Sequence, residues 1–153
     1  MTPNDFIQAI APAARDLAAA TRIPASFVVA QAALESGWAK SQLAQRCFNL
    51  FGVKADGAWH GPTIMLPTTE YEEGRPVTVQ AKWRVYDSWL SALRDHADFL
   101  LSNRRYRPAF AFTSGRAFAK AVAAAGYATD PNYAAKIIAV IDTHQLDALD
   151  ANA

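Results

Sequence analysis

Residues 25–34 are apolar or small except for Ser26 and Gln31, and Gly37 follows shortly after them. A helix this apolar is usually buried, and glycine commonly follows the last turn of a helix. The pattern therefore predicts a central helix that other elements enclose. The chain has 153 residues, of which 52% are hydrophobic and 19% are charged. A single domain over residues 1–153 can build such a core.

Glu35 is the carboxylate at the end of this helix. At helical spacing it shares a stripe with Gln31 and Ala32, which predicts a partly buried side chain near the negative pole of the helix. Burial and the helix dipole both disfavour ionisation of a carboxyl group. A carboxyl that keeps its proton near neutral pH can act as a general acid. The alternative is a glutamate that simply reaches solvent, as most do.

The middle of the chain predicts a β-hairpin. Residues 63–72 and 77–86 have strand character, the second with clean alternation, and residues 73–76 make the turn. Helices are expected on both sides: from Thr2 with a kink or break at Pro12, at 24–36, at 41–46, from Ser88 to about 101, from Ser114 to 126, and from Asp130 onward. The predicted fold class is α+β, a mostly helical body with a β-lobe at about residues 60–86 that flanks a cleft.

The hairpin carries Glu70, Glu72 and Glu73. We expect Glu72 and Glu73 to be solvated, whereas Glu70 precedes the turn and can project from one strand face toward the helical body. A helix-borne glutamate that faces a hairpin-borne glutamate across a cleft is the arrangement used in glycoside hydrolysis.

Aromatic residues are frequent in the segments that would border this cleft. Pyranose rings have apolar faces that stack on such side chains, although aromatic residues belong more often to a core. We expect Trp89 and Phe99 to be core residues, and the pattern leaves Trp38 and Trp83 open between core and sugar platform. The other candidates are Phe48, Phe51, Trp59, Tyr127 and Tyr133.

Several classes of function lack support in the sequence. The net charge of +1 argues against a nucleic-acid partner, and the absence of a glycine-rich nucleotide loop argues against a cofactor. His60, His96 and His144 have no metal-ligand spacing, so we expect structural or surface roles and no metal. Cys47 is interpreted as a small buried residue. No membrane span or secretory signal is predicted, which leaves a cytoplasmic protein, a fragment or export by another route.

Five motifs appear in order along nearly the whole chain. They are Ala-Leu-Glu-Ser-Gly-Trp at 33–38, Asn-Leu-Phe-Gly-Val-Lys at 49–54, Thr-Thr-Glu-Tyr at 68–71, Trp-Arg-Val-Tyr at 83–86 and Gly-Tyr-Ala-Thr-Asp-Pro at 126–131. Together they resemble glycoside hydrolase family 73. The resemblance implies a lysozyme-like fold and an endo-β-N-acetylglucosaminidase that acts on the glycan strands of peptidoglycan.

The resemblance also implies roles for particular residues. Glu35 matches the catalytic acid and Glu70 the second acidic residue, while Tyr127 and Tyr133 both remain candidates for an active-site tyrosine. Substrate contacts are expected from Trp38, Asn49, Phe51, Trp83 and Asp95. In flagellar members of the family a rod-assembly domain precedes the hydrolase. The resemblance thus implies flagellar rod proteins as partners through an N-terminal domain absent here, and a periplasmic location.

The sequence leaves the mechanism open. Glu70 could activate water in an inverting reaction, attack directly in a retaining one, or support attack by the N-acetyl group of the substrate. A lytic transglycosylase and a non-catalytic peptidoglycan-binding module are the alternative functions.

Overall fold

The computed structural model describes residues 1–151. It contains six α-helices and one two-stranded antiparallel sheet among these residues. In chain order the elements are α1 (Pro3–Thr21), α2 (Ala25–Ser36), α3 (Gln42–Cys47), β1 (Thr63–Glu72), β2 (Arg75–Arg84), α4 (Trp89–Ser102), a 3₁₀ helix (Arg104–Ala111), α5 (Gly115–Ala124), α6 (Tyr133–Thr143) and a second 3₁₀ helix (Leu146–Asp150). The α+β class is confirmed.

Helix α2 is the centre of the helical body, as its apolar sequence predicts. Nearly all of its side chains are buried, including Ser26 and Gln31. It packs against α1, α5, α6 and the last 3₁₀ helix. The helix ends at Gly37, which adopts the left-handed conformation with φ of 58°. Because its N-terminal turns are enclosed, only its last turn can present side chains to solvent.

Helix α1 begins with a capping box, in which the side chains of Thr2 and Asp5 each accept a hydrogen bond from the other's backbone N–H. The predicted break at Pro12 does not occur, because the helix runs unbroken from Pro3 to Thr21. Its buried stripe lies on both sides of the proline and packs into the core. The stripe consists of Phe6, Ile10, Ala14 and Leu17.

The hairpin has the predicted first strand, whereas β2 begins and ends two residues earlier than predicted. The turn is correspondingly shorter, with φ of 51° at Glu73 and 78° at Gly74. Strand register places four residue pairs on one face: Ile64–Trp83, Leu66–Ala81, Thr68–Val79 and Glu70–Val77. Of these, only Leu66 and Trp83 are buried. The base of the hairpin therefore packs on the rest of the protein and its tip projects into solvent.

No helix within residues 1–151 is both long and apolar enough to cross a membrane.

Candidate active site

Glu35 lies on the last turn of α2 and lines a cleft with both apolar and polar walls. The prediction that Glu35 is partly buried is wrong, because its side chain is exposed. Gln31 and Ala32 on the same stripe are fully buried, so the stripe emerges from the core at Glu35. The carboxylate is thus presented to the cleft instead of being enclosed by the core.

Tyr133, the first residue of α6, holds the Glu35 carboxylate. Its hydroxyl donates to Glu35 Oε1 across 2.6 Å and accepts from Gln31 Nε2 across 2.9 Å. Burial, and then the hydrogen bond to Glu35, raise the pKa of Tyr133 above its ordinary value. The phenol therefore keeps its proton and remains a donor at neutral pH.

The cleft has a volume of about 680 Å³. One wall is a face of α4, since Asp95, Asp98, Phe99 and Ser102 follow helical spacing. The remaining lining residues are Glu35, Phe51, Val53, Arg84, His96, Tyr106, Tyr127, Ala128 and Thr129. Aromatic rings next to carboxylates suit a ligand with apolar faces and many hydroxyl groups, such as a glycan.

Tyr127 and Tyr133 occupy different positions, although the sequence did not separate them. Their rings stack with centroids 5.4 Å apart. Tyr127 lines the cleft, whereas Tyr133 is buried behind it. Burial, followed by the nearby charge of Glu35, raises the pKa of Tyr127. The structure therefore assigns contact with Glu35 to Tyr133 and contact with the cleft space to Tyr127.

Asn49 is buried and holds a loop, which does not match the substrate contact expected of it. Its Nδ2 donates to the carbonyls of Val53 and Arg84 at 3.0 and 2.9 Å, and its Oδ1 accepts from the Val53 N–H at 2.9 Å. Its polar atoms are thus engaged by backbone. The loop that it fixes carries Phe51, which lines the cleft as expected. The Phe51 ring stacks on the His96 ring, with ring centroids 3.8 Å apart.

Asp95 lines the cleft, as expected, but it is also part of a polar cluster. Its Oδ2 accepts from Arg84 Nη1 at 2.8 Å and from the Tyr86 hydroxyl at 2.5 Å. Arg84 also donates to Asp56 at 3.2 Å and to the Lys54 carbonyl at 3.1 Å. Burial, and then the hydrogen bond to Asp95, raise the pKa of Tyr86. The cluster fastens the base of the hairpin to α4.

Glu70 lies on the same hairpin face as the buried Leu66 and Trp83. Its carboxylate is half exposed and pairs with Lys54 Nζ at 3.2 Å. Glu70 is not among the residues that line the cleft. Glu72 and Glu73 are exposed, as expected.

The structure places three of the predicted aromatic residues relative to the cleft. Trp38 does not line the cleft. Its ring packs edge-on against the rings of Phe6 and His144, with centroid distances of 5.5 and 4.8 Å. Trp83 is also outside the cleft lining, buried on the inner face of the hairpin, where its Nε1 donates to the Leu66 carbonyl. Phe99, expected in the core, is 45% exposed and lines the cleft.

Some residues of this site were not predicted from the sequence. His96, Arg84 and Asp98 line the cleft, and Gln31 lies behind it, within hydrogen-bonding distance of His96. The helical spacing of Asp95, Asp98 and Phe99 could have indicated a shared face of α4. No short-range spacing indicates Gln31 or His96, because their hydrogen-bond partners are distant in sequence. Gln31 bonds to His96, 65 residues away, and to Tyr133, 102 residues away.

Comparison with known proteins agrees with this geometry. The sequence model of the glucosaminidase family, described as mannosyl-glycoprotein endo-beta-N-acetylglucosaminidase, matches residues 11–146. The chain is 42% identical to the peptidoglycan hydrolase FlgJ of Salmonella typhimurium over 142 residues, covering 90% of this chain and 45% of FlgJ. It is 35% identical to the exo-glucosaminidase LytG of Bacillus subtilis, covering 95% of this chain and 52% of LytG.

A solved structure of the glycoside hydrolase domain of S. typhimurium FlgJ, truncated at its C-terminus, superimposes with a TM-score of 0.82 at 40% identity. The match covers 94% of this chain and 97% of that domain, and it confirms the expected lysozyme-like fold. The chain spans less than half the length of the FlgJ relatives that it matches. As its five motifs predicted, the chain belongs to the glucosaminidase family, glycoside hydrolase family 73.

Proposed function

We propose that this chain is an endo-β-N-acetylglucosaminidase that hydrolyses the glycan strands of peptidoglycan. One observation carries the proposal: Glu35 faces an aromatic-lined cleft while Tyr133 holds its carboxylate at 2.6 Å. The similarity to a peptidoglycan hydrolase and to an exo-glucosaminidase supports the same substrate class. We place the cut within the strand because the matching family model is described as an endo-acting glucosaminidase.

Glu35 is the group that protonates the glycosidic oxygen in this proposal. Its side chain is exposed. A glycan bound against Phe51, Phe99 and Tyr127 would displace water from the cleft. With less water to screen charge, electrostatic interactions between the Glu35 carboxyl and its neighbours would become stronger. The hydrogen bond from Tyr133 fixes the orientation of that carboxyl while the sugar acquires oxocarbenium character.

Glu70 is our candidate for the second carboxylate. Asp95 is nearer the cleft, but its Oδ2 already accepts hydrogen bonds from Arg84 and Tyr86, which suits it to orienting substrate. Glu70 has one exposed ion pair on a projecting hairpin, so closure of the hairpin over a bound glycan would bring it toward the cleft. Inverting catalysis places the two carboxyl groups roughly 6.5–9.5 Å apart, and retaining catalysis about 5–5.5 Å.

We infer the biological setting from the similarity to FlgJ, and this inference concerns a longer protein that would carry the domain. The proposal is that residues 1–153 form one hydrolase domain, carried by a longer exported protein that acts in the periplasm during flagellar assembly. Contact with flagellar rod proteins would then belong to a part of the protein outside this chain.

The products of digestion test the proposed bond. Purified peptidoglycan is digested, its new reducing ends are reduced with borohydride, and the sugars are identified after hydrolysis. Glucosaminitol from internal cuts supports the proposal, and Glu35→Gln is the inactive control. Muramicitol would make the protein a muramidase, and anhydromuramic ends would make it a lytic transglycosylase. Release of single sugars from chain ends would indicate an exo-acting enzyme, and binding without cleavage a peptidoglycan-binding module.

A further inference from the structure

Four side chains form a continuous hydrogen-bonded series that ends at the candidate acid. His96 Nε2 lies 2.9 Å from Gln31 Oε1, Gln31 Nε2 lies 2.9 Å from the Tyr133 hydroxyl, and that hydroxyl lies 2.6 Å from Glu35 Oε1. The first three residues are buried, with exposed fractions of 7% or less, and only Glu35 is exposed. They come from α2, α4 and α6, so no single element builds the series.

The direction of each hydrogen bond follows from the number of protons available. The Tyr133 hydroxyl has one proton, and it goes to Glu35. In the hydrogen bond between this hydroxyl and Gln31, the amide N–H₂ of Gln31 must therefore be the donor. That orientation turns Gln31 Oε1 toward His96, so His96 Nε2 must carry a proton and donate it. Every donor in the series thus acts in the direction of Glu35.

We propose that Gln31 and His96 are positioning residues, which commit the single Tyr133 proton to Glu35 and so orient the catalytic carboxyl. This inference rests on the proposed role of Glu35 as the acid. Neither residue is proposed to touch the substrate bond. If Gln31 did not donate, the Tyr133 hydroxyl would keep Glu35 as its acceptor but would lose the second hydrogen bond that fixes its rotation.

The surroundings of His96 agree with a fixed, neutral donor. Its ring stacks on Phe51 at 3.8 Å and lies edge-on to Tyr127 at 5.8 Å. Burial lowers the pKa of His96 from 6.5 to about 3. The ring therefore has one proton in the neutral range, and the acceptor on Gln31 holds that proton on Nε2.

The test compares variants by kcat and KM on purified peptidoglycan. Gln31→Met keeps the shape of the side chain and removes both hydrogen bonds, so kcat should fall roughly three- to tenfold while KM changes less than about twofold. Gln31→Glu introduces a buried carboxylate that competes with Glu35 for the Tyr133 proton, so the fall in kcat should be larger. His96→Gln retains an N–H donor and should keep more kcat than His96→Met, although both variants lose the aromatic stacking.

A double-mutant cycle separates positioning from simple structural damage. Once Tyr133→Phe has removed the hydroxyl, adding Gln31→Met should lower kcat little further, because the two residues act through one bond. Ser26→Ala is the matched control. Ser26 is also buried on α2 and bonded to a distant residue, Asp150, so its loss should lower thermal stability and leave kcat unchanged.

Each outcome decides between the proposals. Unchanged kcat in Gln31→Met and His96→Met, or additive losses with Tyr133→Phe, would overturn the positioning role even if Glu35→Gln is inactive. Turnover by a folded Glu35→Gln protein would instead overturn the proposed function. If Gln31→Glu fails to fold by circular dichroism, Gln31→Met and the two His96 variants still give the answer.

Discussion

Arg84 at the end of β2 donates to Asp95 on α4 across 2.8 Å, and this ion pair joins the hairpin to the helical body at the cleft wall. The side chains are 14% and 28% exposed, so the pair is mostly shielded from water. The Tyr86 hydroxyl donates to the same carboxylate oxygen. The cluster therefore links the position of the hairpin to the shape of the cleft.

Asp95→Asn should lower the free energy of unfolding by about 1–3 kcal/mol, because two charge-assisted hydrogen bonds of mostly buried donors are weakened. Urea unfolding at neutral pH measures the change. The matched control is Asp142→Asn, which weakens the exposed ion pair with Arg116 and should cost less than about 1 kcal/mol. Equal losses in the two variants would mean that the Asp95 cluster does not hold the hairpin.

Glu35→Gln should lower kcat by roughly 10²- to 10⁴-fold, the usual contribution of a general acid. The amide oxygen can still accept the Tyr133 hydrogen bond, so the melting temperature should hardly change. Turbidity loss of cell-wall suspensions gives the rate. Glu72→Gln, at an exposed position near the hairpin tip, is the control and should remain fully active.

Substitutions of the two tyrosines should affect different kinetic parameters, kcat for Tyr133 and KM for Tyr127. Tyr133→Phe keeps the ring stacked on Tyr127 and removes the donor to Glu35, so kcat should fall by about tenfold with little change in KM. Tyr127→Leu removes an aromatic surface from the cleft, so KM should rise several-fold. A Tyr133→Phe protein with normal kcat would contradict the role assigned to its hydroxyl.

The sequence predicts the parts of this structure that short-range patterns determine, and it does not predict those that depend on tertiary contacts. The apolar run of α2, the alternation of β2 and the caps at Thr2, Ser88 and Ser114 are local, and these elements form as predicted, with β2 shifted by two residues. The exposure of Glu35 depends on how α4 and α6 are arranged around the end of α2, which periodicity does not encode. The roles of Gln31 and Asn49 depend on partners that only the folded chain brings together.

Glu70→Gln should lower kcat without a measurable loss of stability. The carboxylate and Lys54 are 50% and 53% exposed, so their ion pair contributes at most about 1 kcal/mol. Turnover and thermal unfolding are measured on the same preparations. Glu73→Gln in the neighbouring turn is the control. Normal activity in Glu70→Gln together with inactivity in Glu72→Gln or Glu73→Gln would show that another hairpin carboxylate supports catalysis.

The buried state of His96 predicts how stability depends on pH. The pKa of His96 falls from 6.5 to about 3 on folding because the ring is desolvated. Between these values the unfolded chain binds a proton that the folded protein does not bind, so stability is complete above pH 6.5 and declines as the pH falls toward 3. The contribution of His96 to this decline approaches about 1.4 kcal/mol per pH unit.

Comparison with His96→Gln isolates this effect, because the variant lacks the titrating ring and leaves every other ionisable group in place. Urea unfolding between about pH 5 and 6.5 covers a range in which free carboxylates of the unfolded chain stay mostly ionised. The wild-type protein should lose stability across this range more steeply than His96→Gln. Parallel curves for the two proteins would mean that His96 accepts a proton in the folded state, which is incompatible with the desolvated ring that the hydrogen-bonded series requires.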